Sequence, residues 1–183
     1  LIPRFIFAKL QPIYHITMAF LAALVYRFPS RNIKVVGITG TKGKTSVTEI
    51  TNAIFEQAGF KTALSNTIRF KIGSDTVDNH YKMSMPGRFF IQKFLRKAVN
   101  AECEYIFLEV TSQGAQFNRH RFIDFDALIF TNISPEHIEA HGSFENYLNA
   151  KLSIADAVSK SNKEKTVLIA NSDDAKSDLF LAK

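Results

Sequence analysis

At 183 residues, with 46% hydrophobic and 22% charged residues, the chain has the length and composition of one ordinary globular domain, not of a disordered or collagen-like polymer. A single cysteine, Cys103, excludes an internal disulfide framework and suits a reducing compartment. The net charge of +6 is uneven, because Arg4, Lys9, Arg27, Arg31, Lys34, Lys42 and Lys44 all precede the first acid, Glu49. Such a basic end suits a nucleotide, a nucleic acid or an anionic membrane, and no aromatic-interleaved basic repeat or zinc-knuckle spacing supports nucleic acid.

Residues 1–32 read as a basic, hydrophobic helical segment. Its apolar run, Ile13 to Tyr26, is 14 residues and contains His15, short of the roughly 17–25 apolar residues that a bilayer span needs. Arg4 and Lys9 precede it as in a signal peptide, yet no small-residue cleavage site follows. The expectation is a buried or interfacial amphipathic helix, with peripheral membrane contact through residues 1–28 as the alternative.

Residues 33–183 read as an α/β domain with a mostly parallel sheet and helices on both faces. Ile33 to Thr39 is a β-branched run ending in glycines, hence a buried strand. From Lys44 the period changes: Val47, Ile50, Ile54 and Ala58 predict a helix with an apolar stripe, stopped at Gly59. "KTALS" and "TIRFKIG" read as strands, Ser74 to His80 as a polar loop. Pro86-Gly87 opens a helix with the stripe Phe90, Phe94, Leu95 and Ala98. "EYIFLEV", "ALIFTN" and "TVLIAN" are apolar strands, and Ser143 can cap a helix running to about Ser159. Cys103 lies between Glu102 and Glu104, whose charge argues against a reactive thiolate.

In such sheets ligands sit at the carboxyl ends of the strands. The polar stretches there are Gly37–Thr45, Glu109–Gln113 and Asn132–His141. The first, "GITGTKGKTSV", misses the generic phosphate-loop spacing by one residue, because Ile38 stands where the first glycine belongs. Its working end survives: Gly40, Thr41, Lys42, Gly43, Lys44, Thr45 and Ser46 lead into a helix N-terminus that can hold phosphate, with Lys44 on the β/γ-phosphates and the Thr45 hydroxyl on Mg²⁺. Glu109 ends an apolar strand, so its carboxylate needs a partner, either magnesium or a basic side chain. Asn132, Glu136, His137, Glu139 and His141 are either a divalent-metal cluster or ordinary loop polars, with no zinc-type spacing. Lys151 lies among apolar positions on a helix and reads locally as a snorkelling lysine.

Together these segments resemble the central ATP-binding domain of the Mur ligases of peptidoglycan synthesis. "GITGTKGKTSV", "SMPG", "LEVTSQG", "FTNISPEHIEAHG" and "YLNAK" follow the family's motifs in order over about 34–172, nearest to the UDP-N-acetylmuramoyl-tripeptide synthetase subgroup. The resemblance implies an ATP-dependent carbon–nitrogen ligase that joins an amino acid to a UDP-muramoyl-peptide acceptor in the cytoplasm through an acyl phosphate. It implies Lys44, Glu109, His137 and Lys151 as catalytic residues. Thr45, Glu109, His137 and a carbamylated Lys151 would hold Mg²⁺, and Ser84, Thr111, Ser112 and Arg121 would lie near the acceptor.

Departures accompany the match. Glu136-His137 replaces Asp-His, Gln113 replaces a histidine, and an asparagine common after the second strand has no clear counterpart near Thr67–Ile72. Leu1 is not a Met, and the family's UDP-binding and C-terminal domains find no counterpart here, so the chain reads as a fragment unable to turn over alone. Rival readings are a folylpolyglutamate or cyanophycin synthetase-like ligase, a P-loop kinase, and a non-catalytic membrane-associated ATP-binding module.

Overall fold

The computed structural model describes residues 4–136 and 138–183, with side chains from residue 10 onward. Among the described residues seven strands form one sheet: β1 (Lys34–Thr39), β2 (Thr62–Ser65), β3 (Arg69–Ile72), β4 (Asp75–Asp78), β5 (Tyr105–Glu109), β6 (Ala127–Phe130) and β7 (Val167–Ala170). Their order is β4-β3-β2-β5-β1-β6-β7. The five from β2 to β7 run parallel, and β3 and β4 add an antiparallel edge. The expected mostly parallel sheet is therefore present.

Alternation along the strands sends side chains to two layers. Val36 and Ile38 of β1, Leu64 and Phe107 meet Val47 and Phe55 of α2 (Lys44–Gln57) on one face. Val35, Ala63, Ile106 and Leu108 meet α3 (Arg88–Asn100) and α6 (Phe144–Ser159) on the other, through Ile91, Leu95, Ile154 and Val158. The Ser143 hydroxyl caps α6 by accepting the Asn146 N–H at 3.1 Å, as its sequence position predicts. Shorter helices α4 (Ser112–Gln116), α5 (Ile138–His141) and α7 (Ser177–Leu181) fill the connections.

Two local expectations fail for identifiable reasons. The polar stretch 74–80 is not a loop throughout, since Asp75–Asp78 pairs with β3 after a turn at Gly73 (φ 58). All four residues of β4 are exposed, so no apolar alternation marks the strand. On α2 the stripe of Ile50 and Ile54 faces outward, 60% and 61% exposed. Its inner face carries Thr48 and Asn52 instead, and Asn52 accepts a hydrogen bond from the Thr62 hydroxyl of β2 at 2.7 Å. A satisfied polar clamp fixes the helix rotation there. Cys103 is buried, and burial pushes its thiol above the ordinary range against the Lys61 and Lys71 charges, which draw it down.

The N-terminal helix α1 (Arg4–Val25) lies on the α3 side. It packs through Ala19, Ala22 and Ala23, all buried, and His15 meets Phe117 edge-on with ring centroids 5.3 Å apart. Arg96 of α3 anchors the chain after α1 by donating from Nε and Nη2 to the Tyr26 carbonyl at 3.0 Å each.

Candidate functional site

The carboxyl edge of β1 opens into the phosphate-loop segment. Gly37 belongs to the strand, where a Cβ would stand 3.1 Å from the Phe125 ring and 3.2 Å from Leu128. It is a packing glycine, and the loop proper begins at Gly40, which accounts for the irregular spacing. At Gly40 a Cβ would fall 1.9 Å from the Thr131 hydroxyl, so the loop can approach the end of β6 only with glycine. Gly43 caps α2 in the left-handed region, φ 77.

Residues after β6 clamp the loop. The N–H groups of Thr41 and Lys42 donate to the Asn132 carbonyl (2.8 Å) and Oδ1 (3.0 Å). Asn132 Nδ2 and the Thr131 hydroxyl donate back to the Lys42 carbonyl at 3.1 and 2.9 Å. With those groups fixed, the first-turn N–H groups of Lys44, Thr45 and Ser46 form the open end of the helix, a ready anion cradle. Lys44 is half-buried and donates to the Thr41 carbonyl at 2.9 Å. Burial draws its amine below the ordinary lysine range, and the Glu109 charge opposes this. The Ser46 side chain is exposed. The Lys42 amine pairs with Glu136 at 3.3 Å, at the rim. The Thr41 hydroxyl turns inward instead, 2.8 Å from the Tyr147 hydroxyl and accepting from the Ser134 N–H at 3.0 Å.

Glu109 ends β5 almost fully buried. Its protein partners are hydroxyl and amide groups, not the basic side chain foreseen as one alternative. Its Oε2 accepts from the Thr45 hydroxyl (2.8 Å) and the Thr67 N–H (3.2 Å), and its Oε1 from the hydroxyls of Ser84 (2.8 Å) and Thr67 (3.0 Å). Thr67 is the residue that sequence reasoning missed, in the turn where a family asparagine lacked a counterpart. The oxygen donors Thr45 and Glu109 suit Mg²⁺, a hard cation commonly held by one or two carboxylates plus substrate phosphates. No cluster of three His, Cys, Asp or Glu occurs among the described residues, and His137 lies outside them.

Lys151, on α6, is not a snorkelling lysine. It is 1% exposed, and its amine donates to the Gly40 carbonyl at 2.6 Å and lies 3.5 Å from the Thr39 hydroxyl. Burial first, then the Lys44 charge, brings its pKa down to about 7. Tyr147, one turn earlier on α6, carries the hydroxyl bonded to Thr41, so α6 is tied to the loop at two points.

A cavity of about 390 Å³ joins these groups, lined by Gly40, Lys44, Thr67, Ser84, Glu109, Thr111, Ser112, Gln113 and Lys151 among others. Ser112 Oγ lies 3.1 Å from Nε2 of the buried His141, whereas Glu139 is exposed. Arg121 is not brought here: it is exposed and faces a separate depression beside Ile16. The left-handed turn at Asn118 (φ 55) after α4 presents Arg119 to the cavity instead, its guanidinium donating to the Met85 carbonyl.

The Mur ligase middle domain family matches residues 38–183. The chain is 34% identical over 178 residues to a UDP-N-acetylmuramyl-tripeptide synthetase of a Roseiflexus species, covering 93% of this chain and 35% of the relative. It is 37% identical over 135 residues to a UDP-N-acetylmuramoyl-L-alanyl-D-glutamate–2,6-diaminopimelate ligase of Clostridium botulinum, covering 74% of this chain and 28% of the relative. The chain thus spans about a third of these curated relatives. Among solved structures, a diaminopimelate ligase of the latter type superposes with TM-score 0.71 at 23% identity, over 82% of this chain and 29% of that one. A Mycobacterium tuberculosis folylpolyglutamate synthase complexed with ADP superposes with TM-score 0.68 at 15% identity, over 91% and 43%. The likeness to both is one of fold.

Proposed function

The chain belongs to the Mur ligase family through its middle domain, and from that premise we propose that it supplies the ATP site of an amide ligase of peptidoglycan synthesis. One observation carries the reading: the phosphate loop and Lys151 form a single site, the lysine amine 2.6 Å from the loop's Gly40 carbonyl. A phosphate loop alone would serve a kinase equally well.

In the proposed reaction a carboxylate oxygen of a UDP-muramoyl-peptide acceptor attacks the γ-phosphorus of ATP, releasing ADP and leaving an acyl phosphate. The amine of an amino acid then attacks the acyl carbon, displaces phosphate and loses a proton. Such phosphoryl transfer rests on positioning and charge neutralisation. The helix α2 N-terminus and Lys44 would bind the phosphates, and Gly40 to Ser46 would wrap them. Ser84, Thr111, Ser112 and Arg119 would position the acceptor in the cavity. Mg²⁺, held by Thr45 and Glu109 with His137, would supply further neutralisation of phosphate charge. A lysine titrating near 7 has a large neutral fraction at neutral pH, and the neutral amine is the form that adds CO₂. Carbamylation of Lys151 would turn a buried cation into an anionic oxygen donor beside that metal site.

This reading places the enzyme in the cytoplasm. Peripheral membrane contact through residues 1–28 is independent of it. In the complete protein, Lys44→Ala should abolish ADP release that depends on acceptor and amino acid. Undiminished turnover refutes the assignment. A UDP-muramoyl-dipeptide assayed beside a folate acceptor separates the peptidoglycan reading from a folylpolyglutamate-type one. A labile gain of CO₂ at Lys151 in bicarbonate, seen by mass spectrometry, supports the ligase over a kinase.

A further inference from the structure

We infer that the outer face of α1 is a docking surface for an anionic lipid bilayer. The helix is built the reverse way round from one made only to fill a core. Its small residues Ala19, Ala22 and Ala23 face the protein, and its large ones, Ile13, Tyr14, Phe20, Leu21, Leu24 and Val25, face outward. Ile13 and Val25 are more than 60% exposed. The stretch from Leu10 to Tyr26 contains no Asp, Glu, Lys or Arg. Its one imidazole, His15, is turned inward onto Phe117. Thr17 and the Tyr14 hydroxyl are the polar groups exposed on this face. The rest of it is apolar, and an apolar face of this extent marks an interaction site.

Charge selects the occupant. No acid occurs before Glu49. Arg27 is exposed at the end of the helix, and Ile16 borders a depression that also holds the exposed Arg121 and Lys160. The acid in that depression, Asp124, is nearly buried and is already engaged by Arg31 at 3.3 Å and by Asn162 at 2.8 Å. A second copy would bring the same cations against themselves, because a two-fold interface pairs a patch with itself. An anionic headgroup layer offers the opposite charge above an apolar interior, the setting in which helices of this composition lie in the plane of the interface. No described helix is long and apolar enough to cross a membrane, and the proposed contact is a peripheral one. The contact also reaches the cavity: Phe117, which meets His15 edge-on, lines its wall.

The test uses the complete protein with vesicles of phosphatidylglycerol and phosphatidylcholine in equal parts, and of phosphatidylcholine alone. The chain has no tryptophan, so Leu24→Trp adds a reporter in this segment. The expected result is flotation with the anionic vesicles and a blue shift of that reporter. Leu21→Glu with Leu24→Glu should abolish flotation while leaving the thermal melt unchanged, since both positions lie outside the core. Arg27→Glu and Lys160→Glu should each weaken binding by about fivefold or more, the contribution of one cation near an anionic leaflet. The inference is overturned by no flotation, by flotation that survives the double glutamate variant, or by a concentration-dependent dimer that this variant dissolves.

Discussion

Replacing Lys151 by Met removes one buried amine and keeps its length. In the unfolded chain a lysine holds its proton up to about pH 10.4, but here the amine releases it near 7. Between those values the unfolded state binds one more proton than the folded state, so stability rises with pH across the window. The slope from this group is about 1.4 kcal/mol per pH unit. Below about 7 both states are protonated, and the full penalty, on the order of 3–6 kcal/mol, is flat. Lys151→Met abolishes that penalty but leaves the Gly40 carbonyl without the donor now at 2.6 Å, a loss of about 1–3 kcal/mol. The variant should therefore be the more stable protein near neutrality and the less stable one at high pH, with the curves crossing between about pH 8 and 10. Urea denaturation in CO₂-free buffer at several values from pH 6.5 to pH 10.5 measures the difference, in which the other titrating groups cancel. Parallel curves for the two proteins would show that Lys151 holds its proton in the fold, and the reasoning about its burial would fall.

Gly40→Ala should cost about 2–4 kcal/mol, because its Cβ displaces a Thr131 hydroxyl that holds the Lys42 carbonyl. Thr131→Ala in the same chain should restore part of the loss in a thermal melt, the positive φ of 157 and the Asn132 backbone 3.1 Å from the Cβ keeping the rest. A deficit that persists unchanged would mean that the clash is not its source. Glu109→Gln turns a nitrogen donor toward hydroxyl and amide donors. It should lose about 1–3 kcal/mol of stability, and bind ATP about tenfold or more weakly only when Mg²⁺ is present, as calorimetry can show. In the complete protein Arg119→Ala should raise the acceptor KM by about tenfold or more. Arg121→Ala should leave it unchanged, and the opposite ranking would restore Arg121 to the site.

What the sequence could show depended on whether the cause was local. The phosphate loop, the strand ending in Glu109 and the cap at Ser143 each rest on residues near one another in the chain, and each appears where its motif stands. Lys151 is different. Its neighbours Ala150 and Leu152 say only that it lies on a half-apolar helix, whereas its environment comes from Gly40, 111 positions away. The resemblance to a family gave it a role, but no local pattern could give it a buried amine. Arg119 and Arg121 differ by a single turn, and only the backbone reversal at Asn118 decides which one meets the cavity. Ile50 and Ile54 show the converse: a clean helical period turned outward by a polar clamp between Asn52 and Thr62 that no hydrophobic pattern reports.

The electrostatics of the cavity connect these parts. Lys44, Lys82, Arg119 and Lys151 line it against one carboxylate, Glu109. Three of those side chains donate hydrogen bonds to backbone carbonyls: Lys44 to Thr41, Lys151 to Gly40 and Arg119 to Met85. Glu109 spends its lone pairs on hydroxyls and an amide, and so bonds to none of the cations. Carbonyl dipoles satisfy the hydrogen bonds of buried cations without cancelling their charge, and burial accordingly depresses Lys44, Arg119 and Lys151 together. Bringing a polyphosphate to the helix end and a carboxylate to Arg119 would offset that desolvation, and an anionic carbamate at Lys151 would remove the charge that Lys44 opposes there. Occupancy should then raise the pKa of Lys44, because an anion within reach favours its charged form. A titration of the ¹⁵N-labelled lysine side chains with and without ATP would register the rise, and a Lys44 signal that titrates identically in both would break the link between the loop and the chemistry proposed for it.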